Sequence, residues 1–215
     1  MTLHQSSVPF PVVPSRHPQL VTLVSLLVIF IVNSQPAYTQ FLYRQQNVVE
    51  LTRRAEFIVE GRVLEARYEP LPGYPNLPTI RVTLAVEQVL RGAIGPRYTF
   101  RQLLLFEPRR SGKRRYVAGD RLLLFLPAPS RYGLSSPLGG DQGRFHIFAD
   151  RQGHEQIVND LGNAGLFNNA GEEASGEGLS LTARQQRVVA GRSGAVPLED
   201  FVSLVKNLAT LPRSK

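Results

Sequence analysis

The sequence predicts a mainly β fold: a small five- to six-stranded Greek-key barrel of the OB type, with a helix at each end and an open sandwich as the alternative. Three observations predict it. Apolar residues alternate with period two through much of residues 57–159, helical spacing is confined to the two ends, and the two longest strands slip phase midway. Long strands that bend at a bulge are the ones that close into small barrels.

Residues 47–56 place Val48, Leu51 and Ala55 on one helical face. The period then changes: Phe57, Val59, Gly61 and Val63 alternate with Glu60 and Arg62, and the alternation slips near residues 64–66. Pro70, Pro72, Gly73, Pro75 and Pro78 mark residues 70–78 as a loop. A second strand follows with Ile80, Val82, Leu84 and Val86 inward, slipping near Val89 and Leu90 before the Gly95–Pro96 turn. Residues 97–105 form a third strand, with Tyr98, Phe100 and Gln102 on one side. Residues 121–126 (RLLLFL) read as a strand buried on both faces. After a Pro/Ser/Gly-rich connection, residues 144–149 form a fifth strand. Asp150 to Gly153 turn it into a return strand over residues 155–159.

Residues 160–180, rich in Gly, Asn and Glu, read as a flexible linker. Thr182 and Gln185 have capping-box spacing at the start of a short helix that Gly191 ends. The last helix has Pro197 at its start, Glu199 and Asp200 in its first turn and Pro212 beyond its end. Its apolar stripe is Leu198, Phe201, Val202, Val205, Leu208 and Ala209. The organisation is therefore residues 1–37 ahead of the domain, a barrel over 38–159, the linker, and a helical segment over 181–215 that packs on the barrel.

The uncharged run LVTLVSLLVIFIV, residues 20–32, follows Arg16 and His17 and precedes Asn33, Ser34 and Pro36. Thirteen uncharged residues fall short of the about 20 that span a bilayer core, so residues 1–37 read as a signal peptide for export to the periplasm or exterior. Retention of residues 20–32 as a membrane anchor is the alternative.

Composition excludes several chemistries. There is no Cys, hence no disulfide, thiolate metal site or Cys nucleophile. No phosphate-cradling glycine loop and no H-E-x-x-H occur. Residues 133–137 (GLSSP) lack the second glycine of a nucleophile elbow. Beyond residue 37 only His146 and His154 remain, two ligands without a third. The sequence therefore predicts no catalytic residue, no metal and no small-molecule cofactor. The net charge of +8 favours an anionic partner. Its densest cluster, Arg109, Arg110, Lys113, Arg114 and Arg115, lacks the interleaved aromatics of a nucleic-acid surface. It is a candidate contact for an anionic envelope surface. Gly139, Gly140 and Gly143 around Asp141 and Gln142 allow close backbone approach. With Ser135, Ser136 and Arg144 they form a candidate protein-binding loop.

Four stretches in order carry a resemblance: residues 55–63 (AEFIVEGRV), 82–92 (VTLAVEQVLRG), 118–126 (AGDRLLLFL) and 133–145 (GLSSPLGGDQGRF). Together they resemble a family of uncharacterised exported bacterial proteins, often encoded near matrixin-type metalloproteases. The first half is similar in pattern to the netrin-like and tissue-metalloprotease-inhibitor barrel. The resemblance implies an OB-like barrel and an exported location but no activity. The animal inhibitors chelate zinc through an N-terminal Cys, which this chain lacks. Two functions are expected: an exported non-catalytic binding module for a protein partner, such as an accessory or inhibitor-like partner of a secreted protease, or a membrane-anchored envelope protein that binds anionic lipid or polysaccharide through the basic loop.

Overall fold

A computed structural model describes residues 44–104 and 115–213. The expected export segment and Arg109, Arg110, Lys113 and Arg114 lie outside them. The element order is α1 (Val48–Arg54), β1 (Phe57–Leu71), β2 (Tyr74–Arg91), β3 (Arg97–Leu103), β4 (Arg121–Leu126), a 3-10 turn (Gly140–Gln142), β5 (Arg144–Ala149) and β6 (Glu155–Asn159). Then come α2 (Ala170–Gly176), α3 (Ala183–Val189), β7 (Val196–Pro197) and α4 (Leu198–Leu208).

The mainly β class holds, and the closed barrel does not. The strands form one antiparallel sheet in the order β3-β2-β1-β4-β5-β6-β7, with no pairing between its two ends among the described residues. The expected bends are present. Pairing skips Leu64 in β1 and Glu87 and Leu90 in β2, each an extra residue that turns the strand. They curl the β1–β3 side of the sheet over Val59, Val63, Ile80, Val82, Leu84, Phe100, Leu122, Leu124 and Leu126. Closure fails because the other side of the sheet is committed elsewhere. Leu123, Phe125, Phe145 and Ile157 face a second core with α1 and α4. Phe201 of α4 lies 5.0 Å from the Phe145 ring and 6.4 Å from Phe167. Strands β5 to β7 thus follow the helices instead of returning to β3.

Two further expectations are corrected. Residues 70–78 are strand on both sides of a turn made by Pro72 and Gly73, with Gly73 at φ 79°. Proline is tolerated there because Pro70 faces Pro78 at the margin of the sheet, where few ladder bonds are lost. Residues 160–180 are turns followed by α2, and Leu166, Phe167, Ala170 and Ala174 are core. Their polar composition serves an internal network. Buried Asn163 donates from Nδ2 to the carbonyls of Gly194 at 2.8 Å and Ile157 at 3.3 Å. Its Oδ1 accepts from the Asn159 amide at 2.9 Å. The Thr182/Gln185 capping box forms as expected.

β1 is paired along its first half on both sides, to β2 and to β4. At its centre, Gly61 opposes Val86 and Leu122. A Cβ there would stand 2.5 Å from the Ala85 carbonyl oxygen, backbone that cannot step aside. Arg91, at the end of β2, fastens the helices to the sheet. It donates to Thr52 O at 2.6 Å in α1 and to Ala209 O at 2.6 Å and Leu211 O at 3.1 Å after α4. Thr52 is in the last turn of α1 and Ala209 caps α4, positions whose carbonyls lack an intrahelical donor.

Replacing Gly61 with Ala is expected to lower unfolding stability by about 1–3 kcal/mol, since the added methyl must separate β1 from β2. Gly95→Ala, where a Cβ meets nothing within 4 Å, serves as the control. Urea unfolding of the two variants checks this, and equal stabilities would refute the close approach.

Candidate functional site

The candidate binding loop, residues 135–144, folds inward. Ser135, Gly140, Gln142, Gly143 and Arg144 are buried, and Ser136 is half-buried. Ser135 donates its amide to Arg101 O at 2.8 Å and its hydroxyl to Pro127 O at 3.1 Å. The Leu138 amide and Gly143 carbonyl bracket Phe125 of β4, each through a 2.9 Å hydrogen bond to its backbone. Gln142 joins three segments. Its Oε1 accepts from the Gln46 amide at 2.7 Å, its Nε2 donates to Arg44 O at 3.3 Å, and its carbonyl accepts from Asn159 Nδ2 at 3.2 Å. The glycines do permit close approach, but the approaching chain is this protein's own. This segment ties the molecule together through its backbone and the side chains of Ser135 and Gln142.

Arg144 is the centre of a buried polar cluster. Its Nε donates to Asp160 Oδ2 at 2.8 Å and its Nη2 to Asp141 Oδ1 at 2.9 Å, and its guanidinium lies 5.2 Å from the centre of the Tyr116 ring. Nη1 is buried without a hydrogen-bond partner among the described residues. Tyr116, also buried, donates to Gln102 Oε1 at 2.8 Å. Burial pushes the Tyr116 phenol up, against the charge of Arg144. Burial also pushes the Asp160 carboxyl up, but the hydrogen bond with His146 and the charge and bond of Arg144 outweigh it, so it titrates below its ordinary range. Arg115, the described member of the basic cluster, is half-buried with Nη1 3.6 Å from Asp141 Oδ1.

The two histidines do not converge. His146 Nε2 lies 3.1 Å from Asp160 Oδ1, whereas His154 Nδ1 lies 3.6 Å from Asp150 Oδ2 across the β5–β6 turn. Among the described residues, no group of three or more His, Cys, Asp or Glu side chains is placed to hold a metal ion. A second charged cluster centres on Arg121, which reaches Glu60 and Glu87 at 2.6 Å each and pairs with Glu155. Burial disfavours the Arg121 charge, but its bonds to Glu155 and Glu60 outweigh that and raise its pKa. A groove of about 590 Å³ lies over it, lined by Glu60, Glu87, Arg121, Glu155, Glu199 and Lys206. Its floor is an ion-pair network in which Arg121, with Arg62 3.4 Å from Glu87, faces three glutamates, so the floor keeps an acidic excess.

The unspent surface lies elsewhere. Six of the eight large apolar residues left exposed gather around the β1–β2 hairpin, where isolated ones would be unremarkable. Leu64, Tyr68, Tyr74 and Leu77 are on the hairpin itself. Tyr132 meets the Tyr74 ring edge-on at 5.8 Å. Val117 lies two residues before Gly119, whose amide donates to Val63 O at 2.8 Å. Beyond Thr79 the hairpin has no β3 partner, and residues 72–78 are all exposed: an arm ending in PGYPNLP. Arg131 stacks over Tyr132 at 4.7 Å. This patch was missed in the sequence because the prolines signal a loop. The available signal was the absence of any charge from Pro70 to Ile80 in a strongly basic chain. No helix among the described residues is long and apolar enough to cross a membrane. The chain matches no protein-family model, no curated protein and no solved structure.

Replacing Arg144 with Met should cost about 1.5–3 kcal/mol at neutral pH by leaving the partly buried Asp160 with His146 alone. Because the folded pKa of Asp160 is depressed, the stability it contributes is present at neutral pH and lost as pH falls through that lowered value. The deficit of Arg144→Met against the wild type should therefore shrink in acid. Urea unfolding across that pH range measures it, and a deficit that does not change with pH would contradict the assignment.

Proposed function

We propose that this chain is an exported, non-catalytic binding module that meets its partner with the β1–β2 arm and the adjoining Tyr132. The single observation that carries the reading is the segregation of exposed apolar side chains onto that arm. Contiguous exposed apolar surface is costly to keep in water and marks an interaction site. The arm is built to hold its shape. Four prolines flank or occupy the tip, so little chain entropy is lost on contact. Its outer face is laced by Glu69 between Arg81 at 3.0 Å and Arg101 at 2.7 Å, by Glu65 with Arg67, and by Thr83 with Thr99 at 3.0 Å.

Export rests on the uncharged run at residues 20–32 and its flanks, and a protein partner such as a secreted protease rests on the family resemblance. The reading transfers contact from residues 135–144, whose side chains are engaged internally, to the arm. The anionic-surface alternative is favoured by one observation: the arm and its neighbours hold Arg67, Arg81, Arg101 and Arg131 against only Glu65 and Glu69.

A photo-crosslinking residue placed at Tyr74 of the full chain in the producing cell is expected to give adducts, while one at exposed Leu161, beyond the end of β6, gives few or none. Equal yields at the two positions, or none at Tyr74, would remove the arm from the contact. Mass spectrometry of cell fractions tests export: a chain beginning near Tyr38 in the exported fraction is expected, and an intact chain confined to the cytoplasm would refute it.

A further inference from the structure

We propose that the occupant of the arm is the headgroup region of an anionic lipid bilayer, into which Tyr74, Leu77 and Tyr132 dip while the surrounding arginines meet phosphate. The proposal rests on the arm being the contact surface and takes the anionic-surface alternative, in place of a protein, as its partner.

Three features of the arm select a bilayer. The first is the tip itself. Residues 72–78 are exposed and carry no charge, so insertion desolvates no ion. The tyrosines offer an apolar ring and a polar hydroxyl, the combination that settles at the water–lipid boundary, and exposed Leu77 adds an aliphatic anchor at the tip. The second is the sign of the charge behind the tip. Glu69 is bonded to both Arg81 and Arg101, and Glu65 is bonded to Arg67, so neither carboxylate is left bare to repel phosphate. Glu69 accordingly titrates below its ordinary range: desolvation, the largest single influence, pushes it up, but the hydrogen bonds and charges of Arg101 and Arg81 together outweigh it. Arg131 has no carboxylate partner among the described residues and extends over the Tyr132 ring, beside the tip. Arginines behind an aromatic edge are the arrangement that apolar burial plus attraction to anionic lipid calls for.

The third is shape. A two-stranded tip stands clear of the sheet, with the Leu104 amide bonded to Pro78 O at 2.9 Å marking where support from the β3 side ends. A convex, uncharged, proline-stiffened tip has no hydrogen-bonding side chain beyond Asn76 and the Tyr74 hydroxyl with which to specify a protein partner. A fluid interface needs no such specification.

The chain has no Trp, so Tyr74→Trp creates a single fluorophore at the tip and Leu161→Trp a single fluorophore away from the arm. Both are made in the full chain, so that residues 20–32 contribute equally. Vesicles of phosphatidylcholine mixed with phosphatidylglycerol are compared with vesicles of phosphatidylcholine alone. On the anionic vesicles, Tyr74→Trp emission is expected to move to the blue and to be quenched by lipids brominated on the acyl chain. Leu161→Trp should stay unshifted and unquenched. Adding Arg131→Glu, a two-charge reversal, should weaken binding of the Tyr74→Trp protein about tenfold at low salt, and Leu77→Asp should remove the blue shift. Circular dichroism confirms that these exposed-site variants remain folded. Three outcomes overturn the proposal: no spectral change at Tyr74→Trp, equal quenching at the two positions, or equal response on neutral vesicles. If the crosslinking at Tyr74 nonetheless yields protein adducts, the arm reading stands and the lipid fails. If Tyr74 gives no adduct of any kind, both fail together.

Discussion

β4 is the constraint on which the remaining structure depends. All five residues Leu122 to Leu126 are fully buried, and they divide by alternation. Leu123 and Phe125 face the helices, whereas Leu122, Leu124 and Leu126 face the curled half of the sheet. Burial of each such side chain is worth about 1.5–3 kcal/mol. A strand with two apolar faces requires a layer on each side. One side is supplied by α1 and α4 and the other by the inward bend of β1, β2 and β3. The bulges at Leu64, Glu87 and Leu90 follow from the second requirement: without them the strands would pass β4 instead of folding over it.

The same requirement explains where the polar side chains are used. Three arginines serve as fasteners between separate elements. Arg91 ties the ends of two helices to β2, Arg121 spans β1, β2 and β6 through Glu60, Glu87 and Glu155, and Arg144 ties β5 to the segment after β6 through Asp160. Removing Arg121 would leave Glu60, whose side chain is 5% exposed, buried without its partner. Polar atoms consumed this way have little left with which to recognise anything. The arm is the counterpart. It lies beyond the reach of both cores, its charges are confined to one face, and its tip is left apolar.

Local order was legible in the sequence wherever a local rule decides the outcome. Alternation located β3, β5 and the inner parts of β1 and β2, an apolar run located β4, phase slips located the bulges near Leu64 and Leu90, and Thr182 with Gln185 marked a helix start that forms as a capping box. What was not legible depended on distant partners. Whether β3 meets the far edge of the sheet is decided by α4, about a hundred residues later in the chain, which draws β5 and β6 onto its apolar stripe. Gly140, Gln142 and Arg144 have the composition of an exposed binding loop, yet Gln46, Asn159 and Asp160 claim them. The Asn-rich residues 160–180 look unable to order because composition counts polar atoms without seeing that Asn159 and Asn163 satisfy one another. Proline misled for the opposite reason. It forbids a central strand but is harmless at a hairpin tip, and only the pairing of Pro70 with Pro78 shows which applies.

The arm also answers a problem that an open sheet creates. A free strand edge invites pairing with another chain, and closed barrels avoid this by having no edge. Here the outer edge of β3 is partly covered by Leu134 and Ser135, which bond to Arg101, while β1 beyond Val63 has no strand on its far side. Along that uncovered length stand Glu65, Arg67 and Glu69, then Pro70 and Pro72. Charge and proline are the devices that deter edge-to-edge association. They deter it along the strand without covering the tip, so the chain can leave an apolar tip exposed while its free edge resists pairing with a second copy. A contact through side chains at the tip, not through backbone addition to β1, is therefore the mode of engagement that this geometry allows.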